Sequence, residues 1–332
     1  MQRRLVFSLV LVIGVIIVLG TAFDQRRVSP SRVDRALERG LSSIAKAHSP
    51  FHFADPYLEY MYPGEALDCG LPNCRISYRT LDAYFALAML GPRLESNESA
   101  VIEAALAEGV NVLADLAPRW RNAPIQNALK SSASDSGVAI DTYCILGVVK
   151  QDVAMARHIL SYISEDDNLI DDRYFQNDTW RNIADETWCL RLIAETETPL
   201  AQLNIMLNAQ ADQGKSFLAS RETVSAKLAV LYHLLMLDSR ARPTLPNRDL
   251  WWEKTVELLR TGAVDDDPIS LGNALEALSN SGYPDQAFLR ILTNHLLALQ
   301  GDDGAWRTGG QYPVFTTLRA LNGLAAFREQ QP

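Results

Sequence analysis

The chain has 332 residues, 48% of them apolar and 21% charged, a balance ordinary for a globular protein with one large core. Its formal net charge is −9, and removing Arg3 and Arg4 takes it to −11; so acidic a body repels phosphate backbones, which excludes nucleic acid as a partner. Four cysteines in a chain of this length exclude a disulfide framework.

The N-terminal 23 residues stand apart from the rest. Arg3 and Arg4 precede an uncharged run from Leu5 to Phe23, rich in Val, Leu and Ile. At about 1.5 Å per residue this run spans roughly the 30 Å hydrocarbon layer of a bilayer. It therefore reads as an uncleaved transmembrane anchor over residues 1–23, followed by a juxtamembrane linker at 24–30. A cleaved signal peptide is the competing reading, with Gly20-Thr21-Ala22 as the cleavage site. Arg3, Arg4 and the amino terminus favour a cytoplasmic N-terminus, whereas Arg26, Arg27, Arg32 and Arg35 oppose it. A very short N-terminal tail stays inside, which places the body outside the cytoplasm, anchored through residues 5–23.

Beyond the linker the pattern is helical. Val33, Leu37, Leu41 and Ile44 follow the i, i+4, i+8 rule, while Arg35, Glu38, Arg39 and Lys46 occupy other faces. The segment from Phe51 through Gly64 is long for a helix connection and could form a lid. Cys69 and Cys74 then bracket Gly-Leu-Pro-Asn, a turn that could bring the two sulfurs together in a bridge of local effect. The run Leu81 to Leu90 is apolar nearly all round, as is Leu228 to Leu235, and helices of that kind must be covered on every side. Amphipathic helices recur near 99–116, 151–163, 199–210, 249–261 and 284–300. Proline at 199 and 284 fits a first helical turn, and Asn97 is a good cap.

The starts of the apolar helices resemble one another: Arg79-Thr80, Asp141-Thr142, Glu186-Thr187, Glu222-Thr223, Asp267-Pro268 and Thr316-Thr317. Most are separated by about 40 to 50 residues, the period of a helical-hairpin repeat. The long first interval contains the polar loop 120–137 as an insertion. Six units, each with one amphipathic and one wholly apolar helix, predict an all-α domain over residues 31–328. The predicted architecture is an α/α toroid of about six hairpins, because an open solenoid needs polar terminal caps and none is present.

The segment Gln300-Gly301-Asp302-Asp303-Gly304-Ala305-Trp306, followed by Tyr312-Pro313 and a helix, resembles the Gln-x-x-Asp-Gly-x-Trp repeat of terpenoid cyclases and protein prenyltransferases. The resemblance implies an α/α toroid in which glutamine and tryptophan tie one outer helix to the next inner one. Gln210 to Phe217 looks like a degenerate second copy. The catalytic signatures of that family are mostly missing. Asp265-Asp266-Asp267-Pro268 departs from the Asp-x-Asp-Asp acid motif and reads better as a helix cap with an acidic first turn. Asp166-Asp167-Asn168-Leu169-Ile170-Asp171 lacks the spacing of a magnesium-diphosphate site and reads as a solvated loop, a calcium site being the alternative. The five histidines, His48, His52, His158, His233 and His295, show no zinc-ligand spacing. No metal and no cofactor is expected.

In a toroid the ends of the inner helices surround a central cavity. Asp141, Asp185, Glu186 and Glu222 are the candidate catalytic carboxylates, since facing acids in a partly desolvated pocket acquire separated pKa values. Arg79, Asp82, Arg221, Tyr312 and Trp188 are the candidate ligand-binding residues. The plainer account makes the acids helix caps that complement the helix dipole. Three functions remain open: a membrane-anchored enzyme acting on a carbohydrate or similar polar ligand, a non-catalytic module binding a ligand or partner, and an isoprenoid cyclase or transferase relative.

Overall fold

The structure is a computed structural model, and it describes residues 30–47, 67–68, 75–76, 86–87, 89–95, 100, 102–103, 200–240, 247–308 and 313–331. Helix accounts for 76% of the described part, so the chain is all-α. The helices are α1 (Pro30–Ala47), α2 (Leu200–Ala219), α3 (Val224–Arg240), α4 (Arg248–Leu259), α5 (Pro268–Asn280), α6 (Gln286–Ala298) and α7 (Pro313–Glu329). A short 3-10 turn, Gly91–Arg93, follows the helical residues 86–87 and 89–90. Among the described residues the one ladder is the antiparallel pair β1 (Leu67–Asp68) and β2 (Arg75–Ile76), with Leu67 opposite Ile76 and Asp68 opposite Arg75. At two residues per strand it forms no layer of the fold. The apolar segment 5–23, the connection 51–64 and the loops 120–137 and 166–171 lie outside the described residues. Among the described helices none is long and apolar enough to cross a membrane.

Local chemistry sets the helix starts. The Asp267 carboxylate accepts from Ile269 N at 3.1 Å and from Ser270 Oγ at 2.6 Å, with Pro268 occupying the first turn of α5. Asp285 caps α6 through Phe288 N at 3.0 Å, so Pro284 precedes the cap rather than lying in the first turn. Thr223 Oγ1 accepts from Ala226 N at 3.2 Å at the start of α3.

The burial pattern divides the helices into two kinds. In α3 every residue from Val230 to Leu237 is buried, in α5 every residue from Ser270 to Ser279, and in α7 every residue from Val314 to Phe327. Between them lie α4 and α6, each buried along one stripe: Trp251, Thr255, Val256 and Leu259 in α4, and Phe288, Leu289, Leu292, Thr293 and Leu296 in α6. The amphipathic face of α1 is buried through Val33, Leu37, Leu41 and Ile44. Those four side chains contribute up to about 6–12 kcal/mol from removal of apolar surface, before the entropy of ordering the helix is subtracted. Helices α5 and α7 touch backbone to backbone. A Cβ on Gly272 would meet Arg319 O at 2.6 Å, and one on Gly323 would meet Gly272 O at 2.6 Å, so only glycine permits this approach.

Helix α1 meets the turn that precedes α7. Gln300 Nε2 donates to Ala36 O and to Gly304 O, both at 2.9 Å. Arg39 Nη2 donates to Gly301 O at 2.6 Å and to Asp302 O at 3.1 Å. Trp306, fully buried, donates from Nε1 to Leu296 O of α6 at 2.7 Å, and its backbone N donates to Thr317 Oγ1 of α7 at 3.0 Å. Gly304 sits at φ +87° with the Arg39 carbonyl against the place a Cβ would take. The Gln300–Trp306 turn therefore joins α6 to α7 and fastens both to α1.

The segment from Gln210 to Phe217 corrects the sequence reading. It is not a second copy of this turn but lies inside α2, which runs unbroken from Leu200 to Ala219. Ala211, Gly214 and Phe217 recur every three residues and are buried on one side, with Gly214 pressed against Leu234 of α3. Asp212 and Lys215 pair at 3.1 Å on the exposed face. Helical spacing of the apolar residues overrides the partial likeness to the turn.

Candidate functional site

Most residues singled out from the sequence lie outside the described residues: Arg79, Asp82, Asp141, Asp185, Glu186, Trp188 and Tyr312, and also Cys69 and Cys74. Cys69 follows β1 directly and Cys74 directly precedes β2. Arg221 and Glu222 are described, and both are exposed on the turn between α2 and α3. There Glu222 N donates to Ser220 Oγ at 3.3 Å, and Lys227 Nζ donates to Ser220 O at 2.7 Å. These bonds order the turn, and they bring neither residue into a buried site.

A different set of polar groups converges where α3, α5 and α7 pack together. Glu276 of α5 is completely buried. Its Oε1 accepts from Arg93 Nη1 at 2.9 Å and its Oε2 from Tyr232 Oη at 3.0 Å. Tyr232 Oη in turn accepts from Arg319 Nη1 of α7 at 2.9 Å. The Arg319 guanidinium lies 5.2 Å from the ring centres of both Tyr232 and Phe315. Beside it Asn322 Nδ2 donates to Ala86 O at 2.9 Å and Leu318 O at 3.0 Å. Phe315, Arg319 and Asn322 share one face of α7 by their i, i+4, i+7 spacing, and Asn273 and Glu276 share one face of α5.

The electrostatics of this cluster are unequal. Arg93 and Arg319 bring two positive charges against the single carboxylate of Glu276. Both oxygens of that carboxylate are already engaged, by a guanidinium and a phenol. Among the described residues several buried polar atoms have no hydrogen-bond partner: Asn273 Oδ1, Ser279 Oγ, Thr316 Oγ1, Arg319 Nε and Asn322 Oδ1. All five sit on α5 and α7. No group of His, Cys, Asp and Glu among the described residues is arranged to hold a metal ion.

No protein-family model matches this chain. No curated protein matches it either. The function must be read from the site.

A second feature is an open groove of about 360 Å³ between α2, α3 and α4, lined by Lys215, Leu218, Lys227, Leu250, Lys254 and Leu258 among others. Its three lysines are already engaged: Lys215 with Asp212, Lys227 with the Ser220 carbonyl, and Lys254 with Glu257 at 2.6 Å. Exposed pairs of this sort are screened by water and contribute little attraction for a ligand. Elsewhere on the surface, a side-chain hydrogen bond from Arg307 holds the Asp303 carboxyl down at about 2. Burial, and then the nearby Asp285 carboxylate, push the Tyr283 phenol upward. These groups serve the loops that carry them.

The cluster residues Arg93, Tyr232, Glu276, Arg319 and Asn322 are not among those singled out from the sequence. Their signal was nevertheless present. Glu276 stands alone in Gly-Asn-Ala-Leu-Glu-Ala-Leu, and Arg319 and Asn322 interrupt the apolar run of α7. A lone charge inside a helix that is buried all round must find a partner within the protein, and so marks a buried network.

Proposed function

We propose that this protein is an α/α toroid that binds a polar ligand against its inner helices, tethered to a membrane through residues 5–23 with the body outside the cytoplasm. The alternation of wholly buried α3, α5 and α7 with half-exposed α4 and α6 supports the ring. So does the seating of α1 on the Gln300–Trp306 turn, 264 positions away along the chain at the Gln300–Ala36 bond. The observation that carries the ligand-binding reading is the presence of five buried polar atoms without a hydrogen-bond partner on α5 and α7. A core that serves stability alone fills such positions with apolar groups, because each unmet donor or acceptor costs about 1–3 kcal/mol. Polar ligand atoms, or the waters they displace, recover that cost. The adjacency of Cys69 to β1 and of Cys74 to β2 supports a local bridge between the two cysteines.

The test is a thermal-shift survey of the full chain in detergent with neutral oligosaccharides, small anions and polyprenyl compounds, followed by product analysis. A saturable rise in melting temperature with a polar compound is expected. A response confined to polyprenyl compounds transfers the protein to the isoprenoid reading, and no response to any compound removes the binding reading.

The catalytic version of this reading, a carbohydrate-active enzyme, draws on the acids at the starts of the apolar helices, Asp141 and Glu186, with Asp185 beside them. It requires that Asp185→Asn with Glu186→Gln abolish turnover at unchanged melting temperature. Unchanged turnover in that double variant removes the assignment to these two acids, and binding without product in the wild type leaves the non-catalytic binding module.

A further inference from the structure

We infer that the Arg319 guanidinium is the anchor for an oxyanion, a carboxylate or phosphate group, carried by the ligand. The inference rests on the ligand-binding reading and narrows the ligand to an anionic class. Arg319 is 5% exposed. Among the described residues no carboxylate pairs with it. The one acid of the cluster, Glu276, is 0% exposed and committed to Arg93 at 2.9 Å and to Tyr232 at 3.0 Å. Arginine does not shed its proton inside proteins, so among the described residues the cluster carries one positive charge in excess, at a side chain nearly closed to water. Uncompensated charge in such surroundings is costly, and a counter-charge drawn from a ligand is stabilised in proportion.

The geometry also says how the anion is held. Nη1 is occupied by Tyr232 Oη at 2.9 Å, whereas Nε has no partner. A carboxylate or phosphate presenting two oxygens to the Nε side of the guanidinium makes the fork-to-fork contact for which arginine is suited. The rings of Tyr232 and Phe315, each 5.2 Å from the guanidinium carbon, fix the plane of the fork. Two further unpartnered atoms, Asn273 Oδ1 of α5 and Thr316 Oγ1 of α7, are an amide oxygen and a hydroxyl suited to the neutral remainder of the ligand.

The experiment titrates the full chain with inorganic phosphate and with malonate, against sodium chloride at equal ionic strength, by calorimetry and by melting temperature. Wild type is expected to bind at least one of the two anions saturably, with a melting temperature raised by a few degrees at about 100-fold excess over Kd. Arg319→Gln is expected to weaken that binding by roughly tenfold or more, and Arg319→Lys, which keeps the charge but loses the fork, by an intermediate factor. If Arg319→Gln does not fold, the wild-type titration and the lysine variant decide. Wild-type binding no stronger than the chloride control, or equal affinity in the lysine variant and wild type, overturns the fork. A thermal shift with neutral oligosaccharides but none with either anion sinks the Arg319 assignment while the ligand-binding reading stands. Silence toward both kinds of compound removes both.

Discussion

Replacing Glu276 by glutamine changes one oxygen to an amide nitrogen and almost nothing in volume, yet it removes the one carboxylate bonded to Arg93 and Tyr232 in the buried cluster. Arg93, whose side chain is 5% exposed, then retains its charge beside a neutral amide, and Arg319 has no acid within the network at all. Removing one partner of a buried pair costs about 3–5 kcal/mol, because the surviving ion stays desolvated. The Tyr232 hydroxyl must also find a new acceptor in the reoriented amide. For a domain of this size about 2 °C of melting temperature follows each kcal/mol, so a fall of roughly 6–10 °C is expected. The control is the double variant Arg93→Met with Glu276→Leu, in which no unpaired pair-member remains. Removing both charges of a buried pair is often close to neutral, so the double variant is expected to be more stable than Glu276→Gln. Calorimetry on the two variants and on Arg93→Met measures the coupling directly. A loss below about 1 kcal/mol in Glu276→Gln, or a double variant as unstable as the single, means that water reaches the pair and that the cluster is not the closed site described here.

Trp306→Ala removes a fully buried indole and its bond to Leu296 O, and is expected to cost about 3–5 kcal/mol in a denaturant titration. Asp267→Ala removes the cap of α5 and is expected to cost about 1 kcal/mol by the same titration. Glu222→Ala, on an exposed turn, is expected to change stability by less than about 0.5 kcal/mol, and a larger loss in the melting curve refutes its surface placement. Asp303 is held at about 2, below the ordinary 3.8, by Arg307. Its contribution is present above pH 3.8 and is lost as the pH falls toward 2. Because both side chains are largely exposed, that contribution stays within about 1 kcal/mol, and Asp303→Asn is expected to flatten the acid limb of the stability curve over that interval.

The all-α class, the alternation of wholly buried and half-exposed helices after residue 223, the cap at Asp267 and the turn at 300–306 were legible from the residues. Apolar spacing, capping carboxylates and glycine at a left-handed turn act over a few positions, so they are written locally. The amphipathic face of α1 was legible for the same reason. The misreading of Gln210 to Phe217 has the converse cause: a partial likeness to a turn carries no weight against a buried stripe that holds a helix together. Arg93, Tyr232, Glu276 and Arg319 come from four separate segments, up to 226 positions apart, and nothing local to any of them names its partners.

By itself the sequence determined which helices must be covered on every side and which keep one face in water, because that choice depends only on the period of the apolar residues. Only the tertiary structure decided where the few charges inside those covered helices would go. Burial compels each of them to find a partner. Which partner it finds depends on the register of α3, α5 and α7 against one another, set by contacts such as Gly272 on Gly323 that no local pattern encodes.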